Sequence, residues 1–267
     1  MAECMVCHIS SKFISKNLGV CLKCIRDKPE RALEMSARVH QKSRAVFGLP
    51  EKPPNDADGI SCGICINACK MGEGSCGYCG LRKNEKGKLT GGKKQYAKLS
   101  WYHDPLPTNC VGDWVCPGGT GAGYPKYAYC RGAESGYLNL AVFFHACSFN
   151  CLFCQNWHFR EQTFKAQTVS VQSLASAVNE KTACICYFGG DPTPQLPFSL
   201  KVSELAVKKN PDRILRVCWE TNGSMNPRLL DQMMEIALNS GGCVKFDLKA
   251  WDESLHRVLT GFSNQRT

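Results

Sequence analysis

Nineteen cysteines in 267 residues constrain this chain more than any other feature. Cys4, Cys7, Cys21 and Cys24 form C-x2-C…C-x2-C. Cys62, Cys65, Cys69, Cys76 and Cys79 form a dense second group, and Cys110, Cys116 and Cys130 a looser third. Cys147, Cys151 and Cys154 form C-x3-C-x2-C, while Cys184, Cys186, Cys218 and Cys243 lie in apolar runs. The opening MAECMVCHIS lacks the basic region and apolar core of a secretory signal, so a reducing, cytoplasmic setting is expected. In that setting grouped cysteines read as metal ligands rather than disulfides. No apolar run approaches the roughly 20 residues that span a bilayer, so no membrane role is expected. Hydrophobic residues at 43% and charged residues at 21% belong to a folded chain rather than a disordered one.

The formal charge of +10 is concentrated at the front: residues 1–100 hold 18 Lys+Arg against 9 Asp+Glu. Such a balance suits an anionic partner such as nucleic acid. It equally suits small metal-binding folds whose thiolates are negative. The second reading covers the charge without a polyanion, and nucleic acid stays open as a partner.

Residues 1–48 read as a zinc-ribbon-like segment plus a helix. Two C-x2-C knuckles thirteen residues apart deliver Cys4, Cys7, Cys21 and Cys24 to one tetrahedral ion, and redox-silent zinc suits such a site. Pro29 and Gly48 bracket the helix, with His40 a structural residue on its partly apolar face. Residues 49–59, with three prolines, read as a linker. Residues 60–99 form a second cysteine-rich metal-binding segment. Cys62, Cys65, Cys69 and Cys79 are the preferred ligands, Cys76 is spare, and both zinc and an iron–sulfur cluster use four cysteines. Residues 100–137 read as a long irregular connection rich in Gly, Pro and aromatics. A further metal at its Cys110, Cys116 and Cys130 is one reading, but no fourth ligand is evident and the three stay unassigned.

From residue 138 the rhythm changes. LNLAVFFH, ACICYF, RILRVCW and CVKFDL are apolar runs of the kind found in buried parallel strands. Helical patterns separate them, with Ser170, Asn226–Pro227 and Asp252 as start signals. Alternation of strand and helix predicts a parallel α/β sheet or barrel over 138–267. CSFNCLFCQNW, GGDPTPQ, ETNG and DLK each come directly after one strand, and ligands of such folds bind at the strands' carboxyl ends. Cys184, Cys186, Cys218 and Cys243 read as small buried residues of those strands. Three cysteines on one loop leave a cubane iron–sulfur cluster one ligand short, open to a substrate or cofactor. Zinc with a distant fourth ligand is the competing reading.

The C-x3-C-x2-C loop, with Phe153 before its last cysteine, resembles the cluster motif of the radical S-adenosylmethionine (SAM) superfamily. More narrowly, ETNG and DLKAWDESLHRVLTGFSNQRT resemble the glycyl-radical-enzyme activases, the pyruvate formate-lyase activase group, and the 62–79 segment ending in CGLRKN resembles related archaeal and bacterial proteins. The resemblance implies a partial (β/α)6 barrel of about four strand–helix units, preceded by the cysteine-rich segments. It implies that Cys147, Cys151 and Cys154 hold a [4Fe-4S] cluster whose fourth iron is chelated by SAM. It implies that reductive cleavage there yields a 5′-deoxyadenosyl radical that abstracts hydrogen. Gly189, Gly190 and Asp191 would hold the SAM amino group, although Asp191 stands where glutamate is usual, and Asn222 would lie close by. Asp247 and Lys249 would contact ribose, carboxylate or substrate, unless they form a strand-end salt bridge, and His256 would face the same mouth. Implied partners are an electron donor such as flavodoxin or ferredoxin and a glycyl-radical enzyme or other protein substrate. An RNA- or peptide-modifying radical SAM enzyme and a non-enzymatic iron–sulfur or zinc module are the alternatives. The resembled barrel has six strands and four are evident, so the chain is expected to be a fragment, with its fourth strand an open apolar edge.

Overall fold

The apolar runs of the back half bury both faces and so pair as parallel strands. In a computed structural model describing residues 1–107, 110 and 112–267, six strands form one sheet. They are β1 (Tyr96–Pro105), β2 (Leu138–Phe144), β3 (Thr168–Ser170), β4 (Thr182–Gly189), β5 (Arg216–Thr221) and β6 (Val244–Phe246). The order is β6-β5-β4-β2-β1-β3. β2, β4, β5 and β6 run parallel, and β1 is antiparallel to β2 and to β3. The four expected parallel strands are therefore present as an α/β partial barrel.

Apart from a single turn at Pro117–Thr120, the helices are α1 (Leu22–Asp27), α2 (Pro29–Ala45), α3 (Phe159–Lys165), α4 (Val171–Ala175), α5 (Leu196–Lys209), α6 (Pro227–Ser240) and α7 (Glu253–Thr260). Three start where a capping residue predicts. Ser170, Asn226 and Asp252 accept hydrogen bonds from the amides of Ser173, Arg228 and Leu255, satisfying donors that the first turn leaves free. α5 begins at Leu196, where Pro197 fits a first turn.

Period two sorts the strand residues between two faces. Leu140, Val142, Phe144, Ile185, Tyr187, Val217 and Trp219 pack against Leu174, Phe198, Val202 and Met233 of the covering helices. Each such aliphatic or aromatic residue contributes about 1.5–3 kcal/mol by leaving water. Cys184, Cys186, Cys218 and Glu220 occupy the alternate positions and face the concave interior. That split places the functional groups inside and at the carboxyl ends.

β1 and the short β3 are the strands of this sheet that sequence pattern does not reveal, and β1 crosses the expected boundary at residues 99 and 100. Ala97 and Leu99 are buried at alternate positions, but Trp101 and Tyr102 further along are exposed, so no apolar period marks the strand. Pairing decides it: β1 lies along the whole of β2, from Leu99 opposite Phe144 to Pro105 opposite Leu138. The irregular chain after β1 is fastened to β5 by a fully buried ion pair. The Glu134 carboxylate accepts from Arg216 Nη1 at 2.9 Å and Nη2 at 2.5 Å, and from the Tyr129 amide at 2.8 Å. Arg216 Nη1 also donates to the Tyr127 carbonyl at 2.8 Å.

The cysteine-rich front docks on this frame. The first knuckle packs on Val258 and Leu255 of α7. His40 is buried in α2, with Nε2 3.0 Å from the Val258 carbonyl, the structural place expected of it. The 49–59 stretch is no free tether: Lys70 donates to Pro54 O at 2.9 Å, and Asp56 donates to Lys70 O at 3.2 Å. Among the described residues no helix is long and apolar enough to cross a membrane.

Candidate functional site

The loop after β2 carries Cys147, Cys151 and Cys154, and its shape is set by elements far away in sequence. The amides of Asn150 and Leu152 donate to Thr260 O at 3.0 Å and Leu259 O at 2.9 Å, the last carbonyls of α7. Asn150 Nδ2 donates to Ser43 Oγ at 2.7 Å from α2. Arg160 donates to Cys151 O at 3.1 Å, and Asn222 Nδ2 donates to Ser148 Oγ at 2.9 Å. A loop held from both sides keeps three thiols aimed one way, the preorganisation a cluster ligand set needs.

Those three cysteines line a cavity of about 380 Å³ at the carboxyl ends of β2, β4, β5 and β6. Phe153, Gly189, Gly190, Asp191, Asn222, Asp247 and Lys249 line the same cavity, so seven of the eight other expected residues converge there. The volume lies in the range of small-molecule sites. Gly189 has φ +111°, which a side chain would strain, and a Cβ at Gly190 would sit 2.5 Å from the Ala146 carbonyl oxygen. Both positions thus leave no room for a side chain against the end of β2 and the loop that follows it. Gly190→Ala is expected to cost about 1–3 kcal/mol by overpacking, read as a lower midpoint in denaturant unfolding. An unchanged midpoint would contradict the tight packing.

Asp191 is 4% exposed, and its carboxylate serves the neighbouring loop. It accepts from the amides of Thr193 and Asn222, each at 2.7 Å, and from Thr221 Oγ1 at 3.2 Å. Burial raises its pKa and these hydrogen bonds oppose the rise. The side chain therefore locks GGDP to ETNG, leaving backbone at the cavity wall. Lys249 pairs with Asp247, the strand-end salt bridge set out as an alternative, yet both line the cavity. Burial works against the Lys249 ammonium, but Asp247 and the thiols of Cys151 and Cys147 outweigh it and hold its pKa above the usual lysine value.

His256 departs from expectation. It is fully buried, its Nδ1 lies 2.8 Å from Phe262 O, and its ring meets Phe149 edge-on at 5.5 Å. The turn after α7 draws it behind the cluster loop instead of into the mouth. Glu220, Lys245 and Arg160 also line the cavity, and sequence reasoning does not single them out. Lys245 lies two residues before Asp247, so alternation along β6 carries a signal for it; Arg160 has none, since α3 swings it in from outside the strand ends.

The front sites separate by sulfur spacing. Cys4, Cys7, Cys21 and Cys24 place their Sγ atoms within 4.8 Å of one another, Cys7 and Cys21 at 3.7 Å. A metal–sulfur bond of about 2.3 Å with tetrahedral angles requires sulfurs about 3.8 Å apart. Among the described residues no other set of three or more such ligands is that tight. Cys62, Cys65, Cys69 and Cys79 instead line a shared cleft, with Arg82 at its wall, and Cys76 is not among its lining residues. Burial pushes the Cys69 thiol up to about 11, and Cys62 and Cys65 are raised for the same reason. This segment abuts the first site: Asn67 Nδ2 donates to Ser148 O at 2.8 Å, beside Cys147. Cys147, Cys151 and Cys154 share the wider spacing, and three thiols facing a cavity with bare backbone fit a [4Fe-4S] cluster with SAM beside it better than a single ion.

Comparison with known proteins agrees with this geometry. Residues 141–267 match the Radical SAM superfamily. Over 152 residues the chain is 26% identical to the pyruvate formate-lyase 1-activating enzyme of Escherichia coli K12, covering 53% of this chain and 58% of that relative. The enzyme of the same name from Shigella flexneri matches equally. Over 91 residues the chain is 31% identical to an uncharacterised protein of Methanocaldococcus jannaschii, covering 30% of this chain and 25% of that one. The chain thus spans somewhat over half the length of the activating enzymes it matches.

Proposed function

From a chain whose residues 141–267 form a radical SAM domain similar to pyruvate formate-lyase activase, we propose an enzyme that cleaves SAM reductively for hydrogen abstraction. One observation carries the reading: the three-cysteine loop and the Gly189–Gly190 segment line one cavity. One-electron cleavage of the sulfonium to a 5′-deoxyadenosyl radical is the chemistry the cluster and SAM supply when bound. The chain's own residues bind and orient. Cys147, Cys151 and Cys154 hold the cluster. The backbone of Gly189, Gly190 and Asp191 takes the SAM amino group, with Asn222 beside it. Lys249, kept cationic by Asp247, faces a carboxylate, and Phe153 shields the rim from water.

Zinc at Cys4, Cys7, Cys21 and Cys24 shapes the front knuckle. An auxiliary iron–sulfur cluster at Cys62, Cys65, Cys69 and Cys79 is the reading that the wider sulfur spacing favours. By analogy with the activating enzymes, the partners are a flavodoxin or ferredoxin donor and a glycyl-radical enzyme. The test is anaerobic reconstitution with iron and sulfide, then addition of dithionite and SAM. The expected product is 5′-deoxyadenosine; a loaded cluster that yields none would overturn the proposal.

A further inference from the structure

A second chamber lies inside the curved sheet, beneath the SAM cavity. Six cysteines line it: Cys110 and Cys116 from the irregular segment after β1, Cys184 and Cys186 from β4, Cys218 from β5, and Cys243 just before β6. The open space among them is about 50 Å³, enough for a metal centre and too small for an organic substrate. Glu220 and Lys245 line both this chamber and the SAM cavity, and their 2.8 Å ion pair forms the partition.

We propose that this chamber is a further metal centre, with Cys110, Cys116, Cys218 and Cys243 as its ligands and an iron–sulfur cluster as its occupant, because these sulfurs lack the tight spacing of Cys4, Cys7, Cys21 and Cys24 that suits a single ion. Two regions about a hundred residues apart supply the set. The buried Glu134–Arg216 pair fastens the segment carrying Cys110 and Cys116 onto the strand that bears Cys218. Cys116 lines the chamber beside Cys218 and Cys243, and the Cys243 amide donates to Cys218 Sγ at 3.3 Å, which holds those two residues together. Cys110 neighbours Cys116 and stands 3.3 Å from Glu220 on the partition. Cys184 is instead engaged with Asn139 Oδ1 at 3.4 Å, and Cys130 points to Gly132 O at 3.3 Å and is not among the lining residues. Buried cysteines commonly serve as small apolar residues, the role expected for Cys218 and Cys243. That role does not account for a loop that leaves the sheet and returns two further cysteines to the same enclosed space. The site stands independently of SAM chemistry.

The test is iron and sulfide analysis of the full chain after reconstitution with iron and sulfide. The Cys116→Ser/Cys218→Ser double variant is expected to lose one cluster's iron and sulfide per chain. The Cys184→Ala variant is expected to keep it. Equal metal content in the parent and a folded double variant would overturn it. Should the double variant not fold, alkylation mapping of the parent decides. Cys110 and Cys116 are expected to become labelled once the metal is chelated, and identical labelling before and after would overturn the proposal.

Discussion

Cys151→Ala is expected to abolish 5′-deoxyadenosine formation while the chain stays folded. Two thiols on a short loop do not hold a cubane, so the variant loses that cluster's iron. The loss in SAM cleavage is expected to be on the order of 10⁴-fold, the scale seen when an indispensable catalytic group is removed. Folding is expected to survive because the loop is fixed by main-chain bonds that do not involve this sulfur, Asn150 and Leu152 to the end of α7. The metal proposed at Cys4, Cys7, Cys21 and Cys24 provides the internal control, and its content per chain should remain at the parent level. The measurements are iron and zinc content and product yield under dithionite. Cleavage persisting near the parent level would show that Cys151 is not a ligand.

The largest stability effect is expected at Glu134. Replacing it with alanine leaves the Arg216 guanidinium in the interior without its carboxylate, since both side chains are fully buried. Breaking one partner of a buried pair costs about 3–5 kcal/mol, because the remaining charge cannot reach water. Tyr129 loses an acceptor as well. Denaturant unfolding should show a fall of that size, a large share of a typical domain's 5–15 kcal/mol. The segment carrying Cys110 and Cys116 should detach, so alkylation of both thiols should rise in parallel. A loss under 1 kcal/mol would mean that the pair is solvated and does not anchor the segment.

Much of the molecule is legible without coordinates where the signal is local. The parallel strands announce themselves as apolar runs, their helices by Ser170, Asn226 and Asp252, and the front knuckle by two C-x2-C pairs. The cavity residues at the ends of β2, β4, β5 and β6 are legible from position alone, because parallel strands bring their outgoing loops to one rim. The position of His256 is not legible, because helix periodicity gives a face but not the direction of the turn beyond it. β1 escapes because exposed Trp101 and Tyr102 interrupt its apolar alternation, and pairing with β2 supplies the order that the pattern lacks.

The cysteines mark the division most clearly. Spacing by itself groups Cys4, Cys7, Cys21 and Cys24 and, separately, Cys147, Cys151 and Cys154, since a few intervening residues limit how far thiols can separate. It could not join Cys116 to Cys218 and Cys243. Only the curvature of the sheet and the buried Glu134–Arg216 pair bring those sulfurs into one chamber. Chain distance limits how far apart neighbours lie, but packing alone decides which distant residues meet.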